Sequence, residues 1–125
     1  MKYIEKYLFP GAKIAEIDSG TGRYSIALAE KGYDATAVEL VDHNLNILKS
    51  KSKTHHNIKI YKGNAVDLSF LESAAYDLVL LLGPMYHLFT LEDKHRALSE
   101  AIRISKKGGT LRLFPLNTLK CKLIK

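Results

Sequence analysis

The 125-residue sequence has one cysteine, Cys121, so no intrachain disulfide can form, which fits a reducing compartment such as the cytoplasm. It also lacks long apolar runs. The longest, Leu78 to Leu82, is far too short to span a membrane. The N-terminal stretch MKYIEKYLFPG is amphipathic and charged, without the apolar core of a signal peptide. Repeats, low-complexity tracts and linker-like segments are missing too, so residues 1–125 read as one domain with a divergent tail over 116–125. The formal charge of +6 comes from dispersed lysines, with no aromatic residues interleaved among them. A nucleic-acid platform needs that interleaving, so nucleic acid is not the expected partner.

Apolar residues make up 46% of the chain and charged residues 26%, a globular composition. A chain of this length can bury roughly two thirds of the surface it exposes when unfolded. The three prolines, Pro10, Pro84 and Pro115, each stand where a pattern breaks. Between them the chain alternates. A short helix is predicted over Tyr3 to Phe9, then a strand over Lys13 to Asp18 and a helix over Arg23 to Lys31 that Gly32 caps. A strand over Asp34 to Glu39 leads into a helix over Val41 to Lys51, with Val41, Leu45 and Leu48 on its buried stripe.

Strands follow over Ile58 to Tyr61 and Tyr76 to Leu82, the latter apolar enough to be covered on both faces. A helix over Leu91 to Ser105 comes next, with Lys106 and Lys107 at its C-terminal dipole and Gly108-Gly109 as its end. Thr110 to Phe114 is the fifth strand. Leu119 to Leu123 alternates apolar and basic residues, so it can fold back antiparallel onto that strand, with Pro115 to Thr118 as the turn. The order implies an α/β, Rossmann-like doubly wound sheet, mostly parallel, of about five strands in the order 3-2-1-4-5.

In such sheets ligands bind beyond the carboxyl ends of the strands, where the strand order reverses. Glu16-Ile17-Asp18-Ser19-Gly20-Thr21-Gly22 lies at such an end. Its glycines permit a tight turn, and the helix behind it offers free N–H groups. Glu39, 19 residues beyond Gly20, ends the second strand, where a carboxylate can accept both hydroxyls of a ribose. A dinucleotide fingerprint places a third small residue where Ser25 stands, a poor fit. His55 and His56 have no further ligand at metal spacing, so no metal site is expected. Ser19, Ser25 and Cys121 have no partner arrangement typical of a nucleophile.

From Lys13 to Gly109 the chain resembles class I S-adenosylmethionine-dependent methyltransferases, in particular small bacterial ones. AEIDSGTGRYSIALAEKGYDATAVEL resembles their first two motifs. GNAVDLS resembles the third, YDLVLLLGPMYHL the fourth, and EAIRISKKGGTL the region before their fifth strand. The resemblance implies S-adenosylmethionine as cofactor. It gives Glu16 the methionine amino group, Gly20 and Gly22 the close pass of the backbone, and Glu39 the ribose, with Leu40 beside the adenine. Asn64 and Ala65 take the adenine edge. Gly83, Tyr86 and His87 fall near the transferable methyl, with His87 as the candidate base because its reference pKa lies near 6.5.

Asp18 stands where the family has its first glycine. Aspartate tolerates a left-handed backbone better than most residues but less freely than glycine. Its carboxylate would attract a sulfonium, or repel the methionine carboxylate, and weakened cofactor binding is expected. The family fold has seven strands, so a five-stranded chain reads as truncated. It leaves open an inactive fragment, and a fifth strand exposed as an edge for homodimerisation.

Overall fold

The computed structural model describes residues 8–81, 90–113 and 117–120. The predicted N-terminal helix falls outside these residues except for Leu8 and Phe9, which are irregular. The elements run β1 (Lys13–Ile17), α1 (Arg23–Glu30), β2 (Asp34–Glu39), α2 (Asp42–Lys51) and β3 (Ile58–Lys62). They continue with β4 (Tyr76–Leu81), α3 (Leu91–Ile104), β5 (Ser105–Leu113) and β6 (Asn117–Lys120).

The sheet order is β3-β2-β1-β4-β5-β6; the first five strands are parallel, and β6 pairs antiparallel to β5. The expected order 3-2-1-4-5 therefore stands, with a sixth strand added. That strand begins two residues before the predicted segment and occupies the side of β5 expected to lie open.

Period-two alternation sorts the central strands onto two faces. Ile14, Leu78 and Leu80 pack with Leu28 of α1 on one face. Ala15, Ile17, Val38, Val79 and Leu81 pack on the other with Ala97, Ala101 and Ile104 of α3. Both faces of β4 are covered, which is why its sequence is continuously apolar. Each fully buried Leu or Ile contributes on the order of 1.5–3 kcal/mol, so the central strands form the rigid base of the molecule.

α1 ends as its sequence suggests. Gly32 is left-handed at φ 93°, and the Tyr33 amide donates back to the Leu28 carbonyl at 3.2 Å.

Two local expectations need correction. Val41 is not on the buried stripe of α2. It caps the helix in an extended conformation and is 52% exposed, while Leu45 and Leu48 are buried. Nor do Gly108 and Gly109 end α3. Ser105 turns extended at once (φ −75°, ψ 139°) and begins β5, with a register shift against Tyr76 and Leu78. The intervening residues bulge. Gly108 is left-handed, and a Cβ on Gly109 would meet the Asp77 carbonyl at 3.0 Å. Lys106, expected at a helix end, instead pairs with Asp77 at 3.2 Å.

Candidate functional site

Strands β1, β2 and β4 finish level, because Ile17 lies opposite both Val38 and Leu81. At that shared edge, between strands whose connections leave in opposite directions, the chain turns sharply. Asp18, Gly20 and Gly22 are all left-handed, at φ 59°, 61° and 82°. Asp18 thereby breaks the strand alternation. The turn is tied back by the Ser19 amide to the Val38 carbonyl and by the Gly22 amide to the Ser19 carbonyl, each at 3.0 Å.

The two glycines serve different purposes. A Cβ at Gly20 would meet nothing within 4 Å among the described residues, so there this point of the turn faces open space. A Cβ at Gly22 would lie 2.2 Å from Leu48 Cδ1, so Gly22 lets the turn close over α2.

Glu39 reaches the same turn from β2. Its Oε1 accepts from the Gly20 amide at 2.6 Å, and its Oε2 accepts from the Val41 amide at 2.9 Å and Asn44 Nδ2 at 3.4 Å. The end of the second strand and the glycine turn of the first thus meet through one carboxylate, as their spacing suggested. Glu39 is 1% exposed, so these backbone donors do the work that water would do at an open site.

Glu16 lies on the α1 face and is held there. Its Oε1 accepts from the Ser25 amide at 2.8 Å and from the Ser25 hydroxyl at 2.5 Å. Gly22 caps α1 without a side chain, so Glu16 satisfies amide donors of the first helical turn from the neighbouring strand. Ser25 is fully buried. Its hydroxyl therefore braces the helix rather than serving as a nucleophile.

Burial pushes the Glu16 carboxyl above its ordinary value; the hydrogen bonds from Ser25 and Tyr24 oppose this, and the Glu39 charge adds to it. Asp18 is raised as well, by burial first and then by Glu39. No ion pair neutralises Glu16, Asp18 or Glu39 among the described residues. Ser19 Oγ, buried within the turn, has no hydrogen-bond partner among them.

Leu40 and Val41 follow Glu39 and are 46% and 52% exposed, leaving an apolar wall beside the carboxylate. Asn64 comes after β3, but its Oδ1 accepts from the Val66 amide at 3.2 Å, so the amide oxygen expected for an adenine edge is already partly engaged. Ala65 points into the core with Val38 and Leu68, which leaves its backbone as the part able to face a ligand. Gly83, Tyr86 and His87 lie outside the described residues.

Among the described residues no group of side chains could hold a metal, and no helix is long and apolar enough to cross a membrane. His55 lies 3.7 Å from Glu30. A cavity of about 210 Å³ lined by Lys13, Asp34, Thr36, Lys59, Tyr61 and Tyr76 opens at the opposite, N-terminal ends of the strands, separate from the turn.

The sequence did not announce the partners of these carboxylates. Ser25 entered only as a poor dinucleotide residue and as a nucleophile without a partner, and Asn44 not at all. A serine placed three residues after a glycine cap, with an acid next to last in the strand before it, is the signal that could have found the Glu16 brace.

Comparison with known proteins gives a consistent picture. A methyltransferase-domain family model matches residues 15–113. The chain is similar to demethylmenaquinone methyltransferase of Renibacterium salmoninarum, 29% identical over 102 residues, covering 82% of this chain and 40% of that protein. It is similar to 23S rRNA (uracil(747)-C(5))-methyltransferase of Pyrococcus abyssi, 27% identical over 109 residues, covering 86% of this chain and 23% of that one. Among solved structures, a SAM-dependent methyltransferase from Methanosarcina mazei superposes with a TM-score of 0.81 at 22% identity, covering 90% of this chain and 56% of that one. The chain thus spans less than half the length of these curated relatives.

Proposed function

This chain belongs to the methyltransferase-domain family, and on that premise we propose that it holds S-adenosylmethionine at the ends of β1 and β2 for methyl transfer. One observation carries the reading: the Glu39 carboxylate is drawn onto the Gly20 amide, so an acidic acceptor and a bare backbone turn form one site. The donor set fits the cofactor. Gly20 leaves open space, Glu39 offers acceptors for a diol, Leu40 and Val41 offer an apolar wall, and the uncompensated acids suit a ligand bearing positive charge.

When bound, the cofactor supplies an already activated methyl group, so the protein's task is chiefly positioning. Glu39 would exchange or share its backbone donors with ribose hydroxyls. Glu16, fixed by Ser25, keeps the first turn of α1 pointed at the site and offers its second oxygen to an amino group. Asn64 and the Ala65 backbone take the far edge of the base. His87 is the candidate base where the acceptor must lose a proton, and Tyr86 and Gly83 are the other candidates carried over from the resemblance.

The relatives' names give acceptors as different as a quinone precursor and a ribosomal uracil, so the acceptor of this chain stays open. Isothermal titration with S-adenosylmethionine, and with S-adenosylhomocysteine beside it, tests the binding site. Heat saturating below millimolar S-adenosylmethionine is expected, and its absence with both ligands would end the reading.

A second reading is a catalytically inactive fragment that binds cofactor weakly or only dimerises, and the observation that favours it is Asp18 in a left-handed position (φ 59°) where the family has its first glycine. Transfer of a labelled methyl group to any acceptor decides between them. We assign the chain to the cytoplasm. Because β6 pairs with β5, the homodimer we propose would use the outer side of β6 or β3, or exchange of the tail. Light scattering at micromolar concentration reads it.

A further inference from the structure

The three acids at the turn differ in what they already hold. Glu16 is occupied by Ser25, and Glu39 by Gly20, Val41 and Asn44. The Asp18 carboxylate has no hydrogen bond or ion pair among the described residues, and Glu39 opposes its charge. It is partly buried, in a backbone conformation (φ 59°) that glycine would adopt without strain. Within the turn, the neighbouring Ser19 hydroxyl is buried and unpartnered among the same residues. A strained, half-buried and uncompensated carboxylate at the mouth of a binding turn costs stability, and a ligand of opposite charge is what would offset that cost.

We propose that Asp18 distinguishes the charged cofactor from its spent form, holding S-adenosylmethionine and releasing S-adenosylhomocysteine. This rests on the cofactor assignment above. In methyl transfer the carbon–sulfur bond breaks, its electron pair stays on sulfur, and the methyl group leaves for the acceptor. The sulfonium becomes a neutral thioether, so the ligand loses one positive charge while its shape changes only by a methyl group. Contacts of the Gly20 backbone with the nucleoside cannot register that change. A net negative charge at the turn can, because Coulomb attraction at a poorly solvated site extends over several ångströms. Asp18 would therefore weaken binding of the neutral form by its bulk and strain while restoring affinity for the charged form alone.

The test is titration of the whole chain with S-adenosylmethionine and with S-adenosylhomocysteine, before and after Asp18→Asn. Asparagine keeps the size and tolerates the left-handed backbone but removes the charge. The unmodified chain is expected to prefer the charged ligand by about tenfold, a ratio that shrinks as salt is raised. Asp18→Asn should shrink the ratio severalfold, chiefly by weakening the charged ligand, with Glu16 and Glu39 keeping what remains of it. Asp18→Gly should lose the same preference while tightening the neutral ligand, and it serves where the asparagine variant folds poorly. An unchanged ratio in both variants, with both ligands still bound, would overturn the charge selection and leave the cofactor site standing. Failure of the unmodified chain to bind either ligand would overturn both.

Discussion

Glu100 on α3 and Glu16 on β1 are both poorly exposed carboxylates that accept a backbone amide, yet their surroundings treat the charge in opposite ways. Burial pushes the Glu100 carboxyl up, but Arg103 and the Leu68 amide outweigh it and hold the group below its ordinary value. Arg103 Nε donates to Glu100 at 2.8 Å. Its other nitrogens reach the Leu68 and Leu71 carbonyls and the Ser73 hydroxyl at 2.7–3.0 Å, clamping the loop between β3 and β4 onto α3. There the acid has a cation and serves packing. At the turn, Glu16 and Glu39 have only N–H and O–H donors, Asp18 has none among the described residues, and Glu16 and Asp18 are held above their ordinary values. An acid compensated internally reads as structure, and an acid left for something else to compensate reads as a site.

The comparison breaks most severely at Glu39. Glu39→Ala leaves the Gly20 and Val41 amides without their acceptor, which should cost about 2–4 kcal/mol of stability. Cofactor affinity should fall at least about a hundredfold by titration (~3 kcal/mol). Retained affinity in a folded variant would dissolve the distinction between the two regions.

Arg103→Met should cost about 1–3 kcal/mol in denaturant melts, because it removes five hydrogen bonds and strands the Glu100 carboxylate. Affinity for S-adenosylhomocysteine should not change, and Glu100→Gln added to it should recover part of the loss. Gly22→Ala sharpens the same contrast. Its left-handed φ and the contact with Leu48 should cost about 1–2 kcal/mol, and here binding should weaken together with stability.

The smallest effect is that of pH. The folded-state values of Glu16 and Asp18 lie above their ordinary 4.5 and 3.8, so the folded chain holds protons more tightly than the unfolded one. Their contribution is fully present below those ordinary values and is lost as pH rises through the raised ones. Thermal melts across that window should show the double variant Glu16→Gln, Asp18→Asn losing less stability with rising pH than the unmodified chain. An identical slope would remove the claim that these acids are uncompensated.

Much of the molecule was legible from one dimension. Continuous apolar character marked β4 as covered on both faces, Gly32 marked the end of α1, and Glu39 was placed at the turn by spacing alone. The misreadings share a cause. Val41 and Gly108-Gly109 were assigned from local propensity, but whether a residue starts a helix, caps it or bulges in a strand depends on neighbours distant in the chain. For Gly109 that neighbour is Asp77, and for Lys106 it is the same residue.

By itself the sequence determined the alternation of strands and helices, hence the parallel sheet and the end at which a ligand site belongs, because periodicity and glycine turns are local properties. Only the tertiary structure decided what each acid does. Glu16 was given to Ser25, Glu39 to Gly20 and Glu100 to Arg103 by contacts that chain packing creates. Asp18 was left uncompensated by that packing, since a carboxylate's charge is set by which donors and cations the fold brings near it.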